Sequence, residues 1–561
     1  MGRGFGEAVR LQLAGTPGIE PVWVSALRDV PSVGVTRVLE GYFSLGAGGL
    51  RVHAVLEDAA PVRSLRAIDV GGPAAGGVLP LARSIAREIE GGARPLPTDN
   101  AEAFRSYIAA IEAPDVASAD GAFERAVAAD PNFGAASVAW VQSLLSRGDR
   151  AGAARALVLA RDRNARFPEL ERARLSLLSA ALAGDRGAER GAWLELTRAD
   201  PADAAVYQRL GDLDAAAHSY RSAAAFYQQA AARAPSDIGV LNQLGYVRAW
   251  AGDLDGAVQA LASYRALRPN EANPLDSLGD AYYYAGRFPE AEKAYLDAYA
   301  KDPAFLGGGE LHKAAWARLR QADLAGADSR FKQFLQARQT AGDPLVEYRQ
   351  AQWEYLSGRR GQGFARLERF AQAATGPASS RAYAQLAIWT LEAGDRARAR
   401  AFAAKAGADP LAVLARLLAE PPVSAAEWSA RAANAFPNPA QAGLRRLALA
   451  AALLLSKNFA DAVGPLEDVY RATQPSSPDW PAVPLAWALI ETSRYERVPQ
   501  LLSGNPPPEP TDENPLLSLG FPRVFFLRAL LAQKQGQPDD AKAHFALFRK
   551  FTGERAQPAA Q

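Results

Sequence analysis

A fixed interval of 34 residues runs through the middle of the chain. Four prolines keep this interval: Pro201, Pro235, Pro269 and Pro303. Three glycines keep it too, each directly after a leucine: Gly211, Gly245 and Gly279. Two residue types in one register indicate a structural repeat, and a period of this length is typical of solenoids, in which each unit contacts only its neighbours. The 561 residues are therefore predicted to form an array of small units.

Each period predicts a pair of antiparallel helices. Gly279 and Ala291 are small residues at positions where the two helices approach each other, and a larger side chain would push them apart. Tyr295 is expected to fill the space between successive pairs. Pro303 lacks an N–H group and clashes with the preceding turn, so it ends the second helix.

This residue order resembles the tetratricopeptide repeat (TPR) family, whose period is also 34. In residues 272–303 the family pattern falls on these positions: Leu278, Gly279, Tyr282, Gly286, Ala291, Tyr295, Ala298 and Pro303. Residues 238–269 follow the pattern with two departures, Arg248 and Tyr264, and residues 204–235 follow it with Ala in place of the turn Gly. Further along, the interval lengthens to 36, and three residues are expected to be equivalent turn positions: Ala322, Gly358 and Gly394.

The resemblance implies a mostly α fold, an α-α superhelical TPR solenoid preceded by a small α+β domain. We expect the small domain at 1–90, a linker at 91–98, and the TPR array at 99–409, with its best repeats at 204–303. Degenerate TPR-like hairpins are expected at 410–553 and a tail at 554–561, which makes about twelve hairpins in all. A Pro-rich loop at 505–510 interrupts the array.

Residues 1–90 do not repeat and contain β-rich segments at 22–25, 35–44, 50–58 and 62–70, followed by an amphipathic helix at 79–90. Residues 2–13, 38–44, 50–57 and 79–90 resemble the amino-terminal domain of TolB, which precedes TPR arrays in bacterial signalling fusions. That resemblance implies three or four strands and two helices. A bacterial source also agrees with the excess of Ala and Arg over Lys in the composition.

In the resembling domain a strand precedes the first helix, whereas here Met1 opens directly into that helix. The segment 30–35 is also too short for the helix expected there. We therefore expect an upstream start, or a strand donated by another chain or a second copy at the open sheet edge. The compartment stays open: cytoplasmic as given, periplasmic or envelope-associated if the amino terminus is truncated. The longest apolar run, 447–455, is too short to span a membrane.

Composition and motifs argue against several classes of function. The chain has no Cys, which excludes thiolate chemistry, and its formal net charge of +2 comes without a basic run, which argues against nucleic acid binding. None of the four His residues has a partner at metal-ligand spacing, and no phosphate loop or nucleophile elbow is present. We expect no cofactor, no metal and no catalysis.

Helix A of each TPR lines the concave side of a solenoid, so the resemblance implies a partner-binding groove. Nine residues are expected there: Gln208, Asp212, Asn242, Tyr246, Trp250, Asp276, Asp280, Tyr283 and Tyr284. They depart from the Lys, Arg and Asn clamp that some TPR proteins use for chaperone tails. Two interpretations stay open: aromatic residues that only fill hairpin joints, or an acidic and aromatic groove for a peptide with a basic or apolar anchor.

The predicted function is a non-enzymatic scaffold or adaptor that binds a protein or peptide. Two alternatives remain, an accessory subunit of an enzyme or signalling complex and a self-associating structural component.

Overall fold

The computed structural model describes residues 2–14, 16, 18–24, 35–46, 49–59, 62–73, 77–163, 166–473, 481–508 and 515–552. The chain divides into two compact units. The amino-terminal unit comprises Met1–Leu213 and Gln229–Pro235, and the carboxyl-terminal unit comprises Asp214–Gln228 and Ser236–Gln561.

The amino-terminal unit begins with an antiparallel sheet of three strands in the order β1-β2-β3. The strands are β1 (Arg37–Gly46), β2 (Gly49–Ala59) and β3 (Val62–Gly72). One sheet face is apolar because alternate residues point the same way, and Val52, Ala54 and Ile68 are buried on it. This face packs in one core with the helices Gly2–Leu13 and Leu79–Ile89. The opposite face is polar.

The β-rich segment predicted at 22–25 is not a strand over its described residues 22–24, which belong to no helix or strand; Ser25 lies outside the described residues. The segment 30–34 and the tail after residue 552 lie outside them too. The strands predicted at 35–44, 50–58 and 62–70 and the helix at 79–90 are present, with bounds shifted by a few residues.

The rest of the chain is helical. In chain order the helices are α1 (Gly2–Leu13), α2 (Leu79–Ile89), α3 (Ala101–Ile111), α4 (Val116–Ala129), α5 (Gly134–Ser146), α6 (Arg150–Arg161), α7 (Glu169–Ala183), α8 (Arg186–Ala199), α9 (Ala204–Ala216), α10 (Tyr220–Arg233), α11 (Ile238–Trp250), α12 (Leu254–Leu267), α13 (Asn273–Tyr284), α14 (Phe288–Lys301), α15 (Gly309–Arg320), α16 (Leu324–Thr340), α17 (Val346–Leu356), α18 (Arg360–Ala373), α19 (Gly376–Glu392), α20 (Arg396–Ala403), α21 (Pro410–Ala419), α22 (Ala425–Ala435), α23 (Ala442–Leu455), α24 (Phe459–Ala472), α25 (Ala482–Glu491), α26 (Val498–Leu502), α27 (Leu517–Gly520), α28 (Arg523–Lys534) and α29 (Pro538–Thr552). Two short 3₁₀ helices lie at Phe305–Gly307 and Pro439–Gln441. The predicted fold class is confirmed: a TPR-type helical solenoid follows a small α+β domain.

A left-handed residue marks the turn between the two helices of successive hairpins. These residues are Gly148, Gly184, His218, Gly252, Gly286, Ala322, Gly358 and Gly394. The interval between them is 34 from Gly184 to Gly286 and 36 from there to Gly394, so the predicted equivalence of Ala322, Gly358 and Gly394 is confirmed. The expected Ala at the turn of residues 204–235 is wrong, because His218 takes that position with a φ of 57°.

An Asp often follows the left-handed residue and begins the second helix. Asp185, Asp253 and Asp323 each accept a hydrogen bond from a backbone N–H two or three residues on. Such side-chain caps satisfy donors that a helix end leaves without a partner. A left-handed residue followed by an Asp cap therefore explains why each hairpin turns at its observed position.

Close helix contact occurs at the predicted glycines. A Cβ atom at Gly279 would lie 2.4 Å from Cε1 of Tyr295, and one at Gly245 would lie 2.6 Å from Cγ of Leu261. Tyr295 is completely buried and its hydroxyl group donates to Asp280 at 2.8 Å. The ring therefore has no free space into which it could move. Within the described residues, no helix combines the length and apolarity needed to cross a membrane.

We predict that Gly279→Leu destabilises the protein by about 1–3 kcal/mol, the usual cost of overpacking. Gly464 on α24 is a matched control, because no atom lies within 4 Å of the place where its Cβ would be. Thermal and urea unfolding of the two Leu variants is the measurement. Equal stability of Gly279→Leu and Gly464→Leu would contradict the close contact.

Candidate functional site

Three consecutive first helices of the carboxyl-terminal unit present equivalent residues on one face. Their register follows from the turn residues, at an interval of 34 from α11 to α13 and 36 from α13 to α15. The equivalent residues, which we call the inner positions, are Asn242, Tyr246 and Trp250 on α11, Asp276, Asp280 and Tyr284 on α13, and His312, Trp316 and Arg320 on α15. Residues four apart lie on one side of a helix.

A buried ion cluster lies behind the inner positions of α13. The ammonium group of Lys313 donates to Asp276 Oδ2 at 2.8 Å and to Asp280 Oδ1 at 2.9 Å. Asp280 also accepts from the hydroxyl groups of Tyr246 at 2.9 Å and Tyr295 at 2.8 Å. Asp276, Asp280 and Lys313 are all buried. The two carboxylates that the sequence places in a groove are thus already neutralised in part by a cation of the chain itself.

The charges in this cluster set the protonation of its members. Burial alone would lower the pKa of Lys313, but the charges of Asp276 and Asp280 outweigh it and hold that pKa well above its ordinary value. Burial, and then the charge of Asp280, raise the pKa of Tyr246 well above its usual range. Lys313 is therefore charged and Tyr246 is a neutral hydrogen-bond donor at neutral pH.

Glu310 begins the same helix as Lys313 and lacks such partners. Both of its carboxylate oxygens are buried, and neither has a hydrogen-bond partner in the described structure. Burial raises the pKa of Glu310 to about 7. An ionised carboxylate without hydrogen bonds is costly in the interior, so this group holds its proton further into the neutral range than an exposed Glu.

Six half-buried rings form what we call the aromatic surface: His218, Tyr220, Tyr246, Trp250, Tyr284 and Tyr470. Tyr246 stacks on Trp250 with ring centroids 5.6 Å apart, and Trp250 lies 5.5 Å from Tyr220. Burial and then the neighbouring phenol of Tyr470 raise the pKa of Tyr284 to about 12. The rings combine apolar faces with hydroxyl groups at their edges.

His218 connects this surface to a distant part of the chain. Its ring stacks on Tyr470 at a centroid distance of 4.4 Å, and its Nδ1 lies 2.6 Å from the hydroxyl group of Tyr220. Burial, together with the positive charge of Arg497, lowers the pKa of His218. The imidazole is therefore neutral at neutral pH, and the aromatic surface carries no charge from its six rings.

The chain's own carboxyl-terminal segments cover the inner positions further along. Phe521 packs edge-on against Trp316 at a centroid distance of 4.9 Å, and the guanidinium of Arg320 lies 5.1 Å from the centroid of the same ring. The backbone N–H of Asn505 donates to the carbonyl of Tyr284 at 3.1 Å. The inner positions of α15 are therefore part of the core, whereas those of α11 stay half-buried.

A single arginine holds the segment that touches Tyr284. Arg528 donates to the carbonyl of Leu502 at 3.1 Å, to the carbonyl of Gly504 at 2.8 Å and to Oδ1 of Asn505 at 3.0 Å. A Cβ atom at Gly504 would lie 2.3 Å from the ring of Tyr284. The start of the Pro-rich loop thus forms one border of the aromatic surface.

The nine predicted groove residues have different surroundings. Tyr246, Trp250 and Tyr284 share the aromatic surface. Asp276 and Asp280 are bound to Lys313. Tyr283 lies in the interior, completely buried, where its hydroxyl accepts from Nε of Arg320 at 3.1 Å.

The remaining three predicted residues are half-buried. Asn242 has a buried Oδ1 without a hydrogen-bond partner in the described structure. Gln208 and Asp212 lie on α9 in the amino-terminal unit, where Asp212 approaches Arg209 at 4.0 Å. The partner-binding role of all nine residues stays a prediction.

Sequence reasoning missed Lys313, His218 and Tyr470. Lys313 lies one residue after the inner position His312, so the groove register does not predict it. His218 could have been found, because it lies 34 residues before the turn glycine Gly252. Tyr470 carries no local signal, since it meets His218 only through the folding of the whole unit. Among the described residues, no group of three or more His, Asp or Glu side chains is arranged to hold a metal ion.

Comparisons with known proteins give limited information. No protein-family model matches the chain, and no curated protein matches it. Solved structures that are similar include YrrB, described as a TPR protein with an unusual peptide-binding site, at 17% identity and a TM-score of 0.29 over 33% of this chain and 94% of that one. Two structures of MamA are also similar. One has 18% identity and a TM-score of 0.26 over 30% of this chain and 90% of that one; the other, from Desulfovibrio magneticus RS-1, has 17% and 0.26 over 31% and 96%.

These similarities cover about a third of this chain, and at these values they carry no argument about partner or activity. The resemblance of the amino-terminal domain to that of TolB is not confirmed and stays a prediction.

We predict that Lys313→Met destabilises the protein by about 3–5 kcal/mol, because two buried carboxylates lose their cation. Lys293→Met is the matched control, since Lys293 pairs with Asp297 at 2.6 Å but is 77% exposed. Removing that exposed pair should cost less than about 1 kcal/mol. Urea unfolding of both variants is the measurement, and similar losses in the two would contradict a structural role for the buried cluster.

We predict that Glu310→Gln makes the protein more stable than the wild type at pH 8, by about 1–3 kcal/mol. The pKa of Glu310 is about 7 in the folded state, against 4.5 ordinarily. Between these values the folded state holds a proton that the unfolded state releases, so wild-type stability falls as pH rises. The variant lacks this loss, and the difference should shrink towards pH 5. A pH-independent difference would show that Glu310 does not titrate in this window.

Proposed function

We propose that this chain is an interaction scaffold that binds an extended protein segment on the aromatic surface. The half-buried rings of Tyr220, Tyr246 and Trp250 are the observation that carries the proposal. Aromatic side chains that keep part of their area exposed while their neighbours hold them in place are the residues that dominate binding energy at interfaces. No chemical step is needed at this surface.

The chemistry of the surface limits the partner. Ring faces accept apolar side chains, and they also attract Arg or Lys by cation–π contact. The carboxylates of Asp276 and Asp280 are engaged by Lys313, so they add less attraction for a basic anchor than free carboxylates would. The proposed partner segment is therefore anchored first by an apolar or aromatic side chain, with a cation as a secondary element.

A second candidate is self-association through the amino-terminal sheet. In the described residues, no strand pairs with the outer edge of β1. Tyr42 and Leu45 on this strand are 65% and 75% exposed. An open strand edge is a template for pairing with another chain, which agrees with the expected strand donation. An accessory role in a larger enzyme or signalling complex uses the same two surfaces.

We predict that Trp250→Ala combined with Tyr470→Ala weakens partner binding about 30-fold or more, as loss of a hot spot of 2 kcal/mol requires. Both rings are half-buried, so the fold should survive. Proteins retained from native lysate by the wild type are identified, and their affinity is remeasured with purified components. Trp193→Ala serves as the control, because Trp193 is half-buried on α8 in the amino-terminal unit.

Equal affinity of the double variant and the wild type would contradict binding at the aromatic surface. Sedimentation velocity over a range of protein concentrations separates the second candidate from the first. A chain that stays monomeric at all concentrations would contradict self-association.

A further inference from the structure

Three polar residues on neighbouring strands form a hydrogen-bonded chain on the open face of the amino-terminal sheet. The hydroxyl group of Ser44 on β1 lies 3.2 Å from Nε2 of His53 on β2. Nδ1 of His53 lies 2.7 Å from Oδ2 of Asp69 on β3. His53 and Asp69 are direct partners in the strand register, and Ser44 is one position diagonal to His53. Pairing of the strands is what brings the three together.

The direction of the hydrogen bonds follows from the donors available. An ionised carboxylate can only accept, so Nδ1 of His53 carries the proton that goes to Asp69. The other ring nitrogen, Nε2, is then an acceptor, and the Ser44 hydroxyl donates to it. This is the order of roles in which a histidine removes the proton of a serine while a carboxylate orients the ring.

Neighbouring side chains hold the histidine in this position. The ring of Tyr42 stacks on that of His53 at a centroid distance of 4.9 Å and an interplanar angle of 24°. Arg51 approaches the second oxygen of Asp69 at 3.6 Å, which leaves Oδ2 for His53. Ser44 itself is exposed, so a substrate can reach its hydroxyl group from solvent.

The strand edge supplies donors for a developing oxyanion. Gly46 pairs with Gly49 across a two-residue connection, and in such hairpins the flanking pair is hydrogen-bonded while alternate residues point away. We therefore expect the N–H group of Leu45 to face the outer edge of β1, directly after Ser44. No strand pairs with that edge in the described part of the chain.

We propose that Ser44 is an acyl-accepting nucleophile for small, unhindered esters, with His53 as its base and Asp69 as a positioning residue. The Ser44 oxygen forms a bond to the ester carbonyl carbon, and the bond from that carbon to the alcohol oxygen breaks. The Ser44 proton passes to Nε2 of His53 and then to the leaving alcohol. Water attacks the acyl-serine by the reverse sequence and releases the carboxylic acid.

The face on which this happens is open, which restricts the substrate. Only the ring of Tyr42 and the exposed stem of Arg51 stand beside the three residues, so long or branched acyl groups gain no binding energy there. This activity is independent of the aromatic surface and goes beyond the scaffold function, because all of its residues lie in the amino-terminal sheet.

The test uses the full chain and two probes, p-nitrophenyl acetate and a fluorophosphonate. With the fluorophosphonate, the Ser44 oxygen bonds to phosphorus, fluoride leaves, and the proton goes to His53. Peptide mass spectrometry should find the label on Ser44. Ser44→Ala should abolish labelling, and His53→Ala should slow it by about 10²-fold, the usual contribution of a general base.

Ser64→Ala is the matched control, because Ser64 is an exposed serine of the same sheet whose hydroxyl donates to Glu57 at 2.8 Å and not to a histidine. It should react like the wild type. Asp69→Asn should lower kcat for p-nitrophenyl acetate while KM is retained, and Asp69→Glu should restore part of kcat. Labelling of other serines in place of Ser44, or equal rates in the wild type and His53→Ala, would overturn the proposal and leave the three residues as a cross-strand polar contact.

Discussion

Each helical hairpin leaves an apolar face that only a neighbouring hairpin can cover, and the rest of the structure depends on this constraint. The two helices of a hairpin come into contact because Gly279 and Gly245 have no side chain at the crossing point. Tyr295 and Leu261 then fill the space beside them. Left-handed residues with Asp caps return the chain at fixed intervals, so the same packing is repeated along the array.

An array of this kind must also cover its inner side. In the carboxyl-terminal unit, Phe521 and Phe551 are completely buried, and Phe521 lies against Trp316. Later segments of the chain therefore occupy inner positions that a partner would otherwise reach. This leaves the aromatic surface, bordered by Gly504 and Asn505, as the half-buried part of the inner side from which we argue a binding function.

Electrostatics separates the structural from the functional part of this region. Lys313 lies between two carboxylates that would be costly to bury alone, and their mutual hydrogen bonds make the cluster a structural element. The rings in front of it are neutral, since burial and Arg497 lower the pKa of His218 and burial raises that of Tyr246. A partner would meet polarisable faces and hydroxyl groups there, and charge steering from these groups would contribute little.

The sequence by itself determined the helical repeat, because its signals are local. Pro303 ends a helix, Gly279 permits a close crossing, and Gly286 permits a left-handed turn wherever the rest of the chain lies. The sequence also indicated Tyr246, Trp250 and Tyr284 as neighbours, since their spacing of four and 34 residues places them in one register.

The tertiary structure decided what no local signal contains. It turned Tyr283 into the interior, bound Asp280 to Lys313, and brought Tyr470 onto His218 across about 250 residues of sequence. It also aligned Ser44, His53 and Asp69 through the register of three strands. Such contacts depend on how every intervening element packs, and a repeat register specifies only the packing of neighbours.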